Sequence, residues 1–506
     1  MKIGFKKITA LLLLAAVLSS LTVSCRAAGG ENAKPEENTG GAAETDTGEG
    51  GGAAPPRLYP DLNAADFGGY EFTFLTRTIS NADWAEWDHR DIYAGQENGD
   101  IINDAVYIRN RKIEEKYNIK IDEVRVENPL LVSKTQQAVK AGDDFYDAVC
   151  PHLMEVTTLA QGGNLMDLFL MPNIDLTMPW WNQGSVRDLS ICKRLFVVSG
   201  DLFILDNDSL EAMVFNKALI QTNGLEIPYD IVKRGEWTFD KLIEMGKGIA
   251  KDLNGDGKMY IKDDLFGIII QASTENSFIV SGGEKICGKD ENDYPVITFG
   301  TDRCYSILDA LTELIHDEQN VVHLHRYMGE FPIYDEQVKM MQEDRALFSW
   351  ILMRVVERLR GMETDFGILP LPKLDKAQKD YITNNNPNVG VGVSVPVVAS
   401  DPERTGMILE DLCAESKYTL QPAYYEINLR GKYARDDESQ EMLDILLSNT
   451  AYDIGYIYDF GGFGAGMVLW SGMNKKTDYA SAFEKAKGKM EKDIEKTIEA
   501  YENARN

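Results

Sequence analysis

The chain has few of the motifs that would mark a reaction. No GxxxxGK[ST] loop or strand-borne GxGxxG turn cradles a phosphate, no GxSxG elbow raises a nucleophile, and no HExxH pair offers zinc two histidines. The GGFGAG run at 461–466 lacks both the following helix and the acidic partner that a dinucleotide site requires. Paired carboxylates abound, but in so acidic a chain they give no sign of glycosidase spacing. Basic residues are scarce, 52 Lys and Arg against 81 Asp and Glu. The resulting net charge of -29 disfavours nucleic acid and anionic membrane surfaces as partners. Cysteines are few and scattered. Beyond Cys25 there are Cys150, Cys192, Cys287, Cys304 and Cys413, an odd number with no CxxC knuckle and no disulfide framework. Buried thiols are the expectation, although Cys287 and Cys304 flank an expected hairpin and could pair. Internal repeats and a wall-sorting tail, which a surface adhesin would need, are missing.

What is present divides the chain clearly. At 506 residues it is too long for one core, so two or more domains are expected. Residues 1–24 read as an export signal: Lys2, Lys6 and Lys7, an apolar run too short to span a bilayer, then small residues up to Cys25. Residues 25–65 are rich in Gly, Ala, Glu, Thr and Pro, cannot bury enough apolar surface to offset their ordering entropy, and read as a disordered tether.

Beyond the tether, strands and helices alternate. A strand is expected over 70–75, a helix ending at Tyr117 and Asn118, a strand over 119–126, a helix over 130–141 and a short strand over 146–149. The segment 200–267 is the most informative. Its apolar runs 202–205 and 213–215, split by Asp206, Asn207 and Asp208, read as two strands joined through an exposed crossing. Asn216 caps a helix over 217–222, and Thr238 caps another over 239–251. Helices are expected again over 301–316, over 407–412 and over 479–501, the last docked on one lobe, and 334–350 reads as a helix running into a short strand. His316, His323 and His325 lack metal spacing and read as packed or solvated side chains.

The ordered series VFNKALI, GLEIPYD, EWTFDKLIEMGKGIA and FGI over 214–268, with FGILPLPK over 366–373, resembles the extracellular solute-binding proteins of ABC importers, in particular the sugar-binding family related to maltose-binding protein. The resemblance covers most of 66–475. It implies an α/β, two-lobed periplasmic-binding-protein-like fold of type II, with mixed sheets flanked by helices and lobes joined by crossing strands. Lobe 1 is expected over 66–206 with a return segment at about 388–440, and lobe 2 over 207–387 with C-terminal helices at about 441–506. The sequence LTVSC resembles a lipobox, although Thr22 stands where the leucine is usual. It implies lipidation of Cys25 and anchoring to the outer face of the cell membrane; ordinary signal cleavage is the other reading.

The function implied is capture of a carbohydrate, an oligosaccharide above all, and its delivery to the transmembrane subunits of an ABC permease by a monomeric binding protein that is not an enzyme and requires no cofactor. A secreted glycan-active enzyme and a peptide-binding protein of the same fold are the alternatives. Aromatic faces suit pyranose rings and carboxylates suit their hydroxyls, so the candidate ligand contacts are Trp84, Glu86, Asp147, Trp180, Trp181 and Trp350, with a place in the core as the other reading of each. Separately, Asp252, Asn254, Asp256, Lys258 (through its carbonyl) and Asp263 follow the spacing of an EF-hand loop around Gly257. A structural Ca2+ and a plain acidic turn both remain open there.

Overall fold

The computed structural model describes residues 56–79, 87–430, 437–468, 471, 474–475 and 478–504. The expectations for the signal, the tether, Cys25, Trp84 and Glu86 lie outside these residues. The chain divides after Arg57, and all the described strands and helices belong to the body from Leu58 onward.

Lobe 1 is built on a parallel three-stranded sheet in the order β2-β1-β3, with β1 Tyr70–Thr78, β2 Ile119–Glu127 and β3 Ala148–Val149. Helix Ile101–Tyr117 links the first two strands. Asp100 caps its start, and Asn118, in the left-handed region at φ 48°, ends it as the Tyr-Asn pair suggests. The apolar runs of β1 are buried on both faces, so its side chains need not alternate in polarity.

Lobe 2 holds a mixed five-stranded sheet in the order β10-β4-β9-β5-β8. Its strands are β4 Glu211–Asn216, β5 Phe266–Ile270, β8 Val321–His323, β9 Ala346–Leu352 and β10 Phe366–Leu369. β4 runs antiparallel to both neighbours, pairing Met213 with Trp350 and with Leu369. Core clusters cover both faces of this sheet. A small hairpin, β6 Cys287–Lys289 with β7 Pro295–Ile297, follows helix Thr274–Ser281, and Cys287 and Cys304 are free thiols.

The expected caps are in place. Asn216 accepts the Leu219 N–H at 2.9 Å, and Thr238 accepts that of Lys241. The second helix ends at Gly246, short of the expected 251. There the helix end lies against β5 so closely that a Cβ on Gly267 would stand 2.1 Å from the Gly246 carbonyl oxygen.

Two expectations need correction. Residues 202–204 form a turn leading into the short helix Leu205–Asp208, because the buried Asp91 carboxylate accepts the Ile204 and Leu205 N–H groups at 2.9 and 3.0 Å and starts a helix. The crossing is also interior: Asp206 and Asp208 are 2% and 1% exposed.

The chain returns to lobe 1 through β11 Thr383–Asn384, which pairs in parallel with β12 Thr450–Ala451. Residues 391–396 then run past His152, Val149, Val198 and Leu165 as isolated bridges. Helix Pro402–Tyr418 follows, capped by Asp401. The C-terminal helix Tyr479–Glu502 touches both lobes, where one was expected: Tyr501 packs on Phe196, and Phe483 packs on Phe299.

Candidate functional site

A buried polar seam runs where the carboxyl end of the lobe-1 sheet meets lobe 2 and the return segment. Its centre is Glu211, the first residue of β4 and fully buried. Oε2 accepts the Trp350 indole N–H at 2.9 Å and the Ser277 hydroxyl, while Oε1 accepts the Asn386 amide at 3.0 Å. Burial pushes this carboxyl up to about 7. The asparagine run at 384–386 bridges the lobes. Asn384 donates to Ser277 and accepts from Asn276, Asn385 donates to Asp206 at 2.8 Å, and Asn388 donates to the Tyr456 hydroxyl at 3.0 Å. Asp206 also accepts from Tyr452, and burial pushes it up to about 6.

An ionic knot closes one end of the seam. Arg90 of lobe 1 pairs with Asp208 at 3.1 Å and with Glu357 of lobe 2 at 2.7 Å, and Arg354 reaches Glu357 at 3.2 Å. On the lobe-2 side, His323 Nε2 lies 3.3 Å from Glu275. Burial depresses His323 to about 3, so it is neutral at physiological pH. On the lobe-1 side stand Arg77 near the end of β1 and His152 just past β3. Several polar atoms along the seam are buried without a partner in the chain: Arg77 Nε and Nη1, His152 Nε2, Gln271 Nε2, Asn276 Oδ1 and His323 Nδ1. Buried polar groups are normally satisfied by the chain, by ordered water or by a ligand.

The expected contacts fall elsewhere or play other parts. Trp180 and Trp181 are wholly buried in lobe 1 and offer no open stacking face. Their indole N–H groups donate to the two oxygens of Glu410, at 3.0 and 2.8 Å, because buried indoles need an acceptor. Asp147 sits before β3, away from the seam; it accepts from Tyr70 at 3.0 Å and from the Thr73 N–H at 2.9 Å, with Arg404 3.6 Å away. Trp350 does lie at the seam, but beneath it, stacked on Phe278 and holding Glu211. The residues that sequence reasoning missed are Arg77, Glu211 and the asparagines. Their signal was a lone charge within a buried strand, in FTFLTRT and in LEAMVF, and the polar run TNNNPN between apolar segments.

The acidic loop is folded on itself. Asp252 accepts the Gly255 and Gly257 N–H groups, Asn254 that of Asp256, and Asp256 that of Lys258. Asp263 is exposed; the neighbouring buried Asp264 closes the loop by accepting the Leu253 and Tyr260 N–H groups. Among the described residues no cluster of three or more His, Cys, Asp or Glu stands ready to hold a metal. A separate surface hollow of about 660 Å3, lined by Phe215, Lys217 and Tyr229 among others, lies at the opposite end of β4 from Glu211.

No protein-family model matches the chain, and no curated protein matches it in sequence. Solved structures do match in fold. An ABC substrate-binding protein from Listeria monocytogenes in complex with cycloalternan aligns with a TM-score of 0.53 at 13% identity, over 84% of this chain and 99% of that one. The cyclic alpha-maltosyl-1,6-maltose binding protein from Arthrobacter globiformis aligns at 0.53 and 14%, over 84% and 99%. The maltose/maltodextrin-binding domain from Bdellovibrio bacteriovorus bound to maltotriose aligns at 0.52 and 14%, over 84% and 100%. The chain therefore has the two-lobed α/β fold of these sugar-binding proteins. Among the described residues no helix is long and apolar enough to cross a membrane.

Proposed function

We propose that this chain is the substrate-binding protein of an ABC importer, capturing a carbohydrate between its lobes and delivering it to a membrane permease. The observation that carries the reading is the polar seam, placed where two lobes of this fold meet and rich in side-chain amides, carboxyls and unpartnered donors. Such groups suit the dense hydroxyls of a saccharide, and the rigid sheets on both sides hold them in place. The proteins of similar fold bind oligosaccharides, which supports the same class here. Ligand bridging the lobes would favour a closed arrangement, the form a permease could distinguish from the open one. Binding without turnover is part of the proposal, as is attachment to the outer face of the membrane through a lipid on Cys25.

A thermal-shift screen of the protein against mono- and oligosaccharides tests the reading. Saturable stabilisation by one glycan recovered uncleaved is the expected result. Recovery of cleaved products would replace the proposal with a glycan-active enzyme, and response to peptides alone would change the ligand class. A structural Ca2+ in the loop 252–264 is a separate proposal, resting on its oxygen-rich spacing. Calcium should raise the melting temperature and chelator should reverse it; no response leaves the loop a turn.

A further inference from the structure

Away from the seam, a hairpin of lobe 2 grips a turn of lobe 1. β6 and β7 pair Gly288 with Val296, and their root is fixed where the buried Asp453 carboxylate accepts the Ile286 N–H at 2.7 Å. Asp290 shapes the tip by accepting the Asn292 and Tyr294 N–H groups, both at 2.9 Å. Asp293 follows in the left-handed region at φ 70°, and both its carbonyl and its carboxylate reach residues 190–193 of lobe 1.

The lobe-1 side is shaped to receive it. Ile191 and Arg194 close a two-residue turn whose central residues, Cys192 and Lys193, are both left-handed, at φ 53° and 59°. Asparagine and glycine are the usual residues for such a turn, so cysteine and lysine hold it only with outside support. Asp293 supplies that support. Its carbonyl oxygen accepts the Cys192 N–H and its Oδ2 the Lys193 N–H, each at 2.9 Å, as successive N–H groups of a nest take an anion. Its Oδ1 accepts the Ser190 hydroxyl at 3.0 Å. Lys289 pairs with Asp293 and donates to the Ser190 hydroxyl and carbonyl oxygens at 2.7 and 3.0 Å. Lys285 pairs with Asp188 at 2.8 Å, and Asp188 also accepts the Tyr452 N–H at 3.0 Å, next to the crossing segments. The Lys289 and Asp293 side chains are only 17% and 18% exposed, so solvent screens them in part.

We propose that this hairpin is a clasp that holds the two lobes in their closed arrangement before any ligand binds. The seam between the lobes is buried, so the arrangement that the clasp fastens is the closed one. The contacts of Asp293, Lys289 and Lys285 with residues 188–193 all join one lobe to the other, and lobe separation that parts these segments must break them together. With the closed form already populated, a ligand has to supply less of the free energy of closure. The clasp is made of the chain's own residues, so it stands or falls independently of the carbohydrate reading.

The test is small-angle X-ray scattering together with amide hydrogen exchange on the protein without saccharide. The wild type is compared with Lys289→Ala, with Asp293→Asn, and with Lys247→Ala, a control that loses an exposed ion pair within lobe 2. Exchange over 190–195 should be about 10- to 100-fold faster in Lys289→Ala than in the wild type, the range for losing a hydrogen bond to a charged group. Its radius of gyration should increase, Asp293→Asn should fall between the two, and Lys247→Ala should match the wild type in both readings. Faster exchange over 190–195 with an unchanged radius of gyration would make the contact a local brace and overturn the proposal. Unchanged exchange would overturn it as well, since the lobes would then be held by other contacts. If Lys289→Ala loses its fold, Asp293→Asn, which tolerates the left-handed backbone and removes only the charge, decides the question by the same two readings.

Discussion

Two buried glutamates in this molecule share their chemistry and differ in their surroundings. Glu410, on helix Pro402–Tyr418, accepts the indole N–H groups of Trp180 and Trp181 and the Asp175 N–H, all within lobe 1. Glu211 also accepts an indole, that of Trp350, but its other partners, Ser277 and Asn386, come from a helix of lobe 2 and from the return segment. Around Glu410 the neighbours are core, Cys413 and the Trp pair among them. Around Glu211 lie amides with unpartnered atoms. One carboxyl fastens a helix to a loop inside a lobe; the other gathers segments that meet at the seam. The same hydrogen bonds thus fasten elements within one lobe in one place and join segments across the seam in the other.

The largest effect should come from breaking the satisfied cluster. Glu410→Ala leaves two buried indole N–H groups without acceptors and should cost about 3–5 kcal/mol of stability, read by denaturant unfolding. A loss below about 1 kcal/mol would mean the Trp–Glu clamp does not hold lobe 1.

The pH dependence comes next. Burial pushes Glu410 and Glu211 up to about 7 from an ordinary 4.5, so the folded chain holds protons that the unfolded chain releases. That contribution is full below pH 4.5 and is lost as pH rises through about 7. His323 and His325, depressed to about 3 and about 4, work in the opposite sense: their contribution is present above 6.5 and lost as pH falls. Above pH 6.5 the carboxyls therefore act without opposition from these two histidines. Between pH 4.5 and about 7 the melting temperature of the wild type should fall relative to that of Glu410→Gln, and further relative to the double variant with Glu211→Gln. Equal slopes in all three would contradict the raised carboxyls.

The smallest effect on the ligand-free protein belongs to Glu211→Gln. A neutral amide replaces a carboxyl that burial already favours as neutral, so below pH 7 the cost should stay within about 1 kcal/mol. Saccharide affinity should nonetheless fall. A stability loss as large as that of Glu410→Ala would erase the contrast between core and seam.

The fold was legible where local chemistry repeats in the tertiary structure. Asn216 and Thr238 are caps by residue type and caps in fact, and the strand–helix alternation leads directly to two sheets covered by helices. The run 202–205 misled because its conformation is set by Asp91, more than a hundred residues upstream, which accepts its N–H groups. The candidate site was legible only in outline. Trp180 and Trp181 beside polar Asn182 read as core or as a cleft platform, and the acceptor that goes with the core, Glu410, lies 229 residues or more along the chain. A tryptophan shows its apolar area in the sequence and hides its need for an acceptor. Arg77 and Glu211 were hidden for the opposite reason: a charge inside an apolar strand looks like an edge residue until the second lobe covers it.

The most direct test of the seam as the binding site is hydrogen exchange, read by mass spectrometry, with and without the saccharide that stabilises the protein. Protection should appear over 209–216, 271–277 and 384–388, while helix Pro402–Tyr418 around Glu410 exchanges as before. Protection confined to other segments, with the seam unchanged, would contradict the assignment.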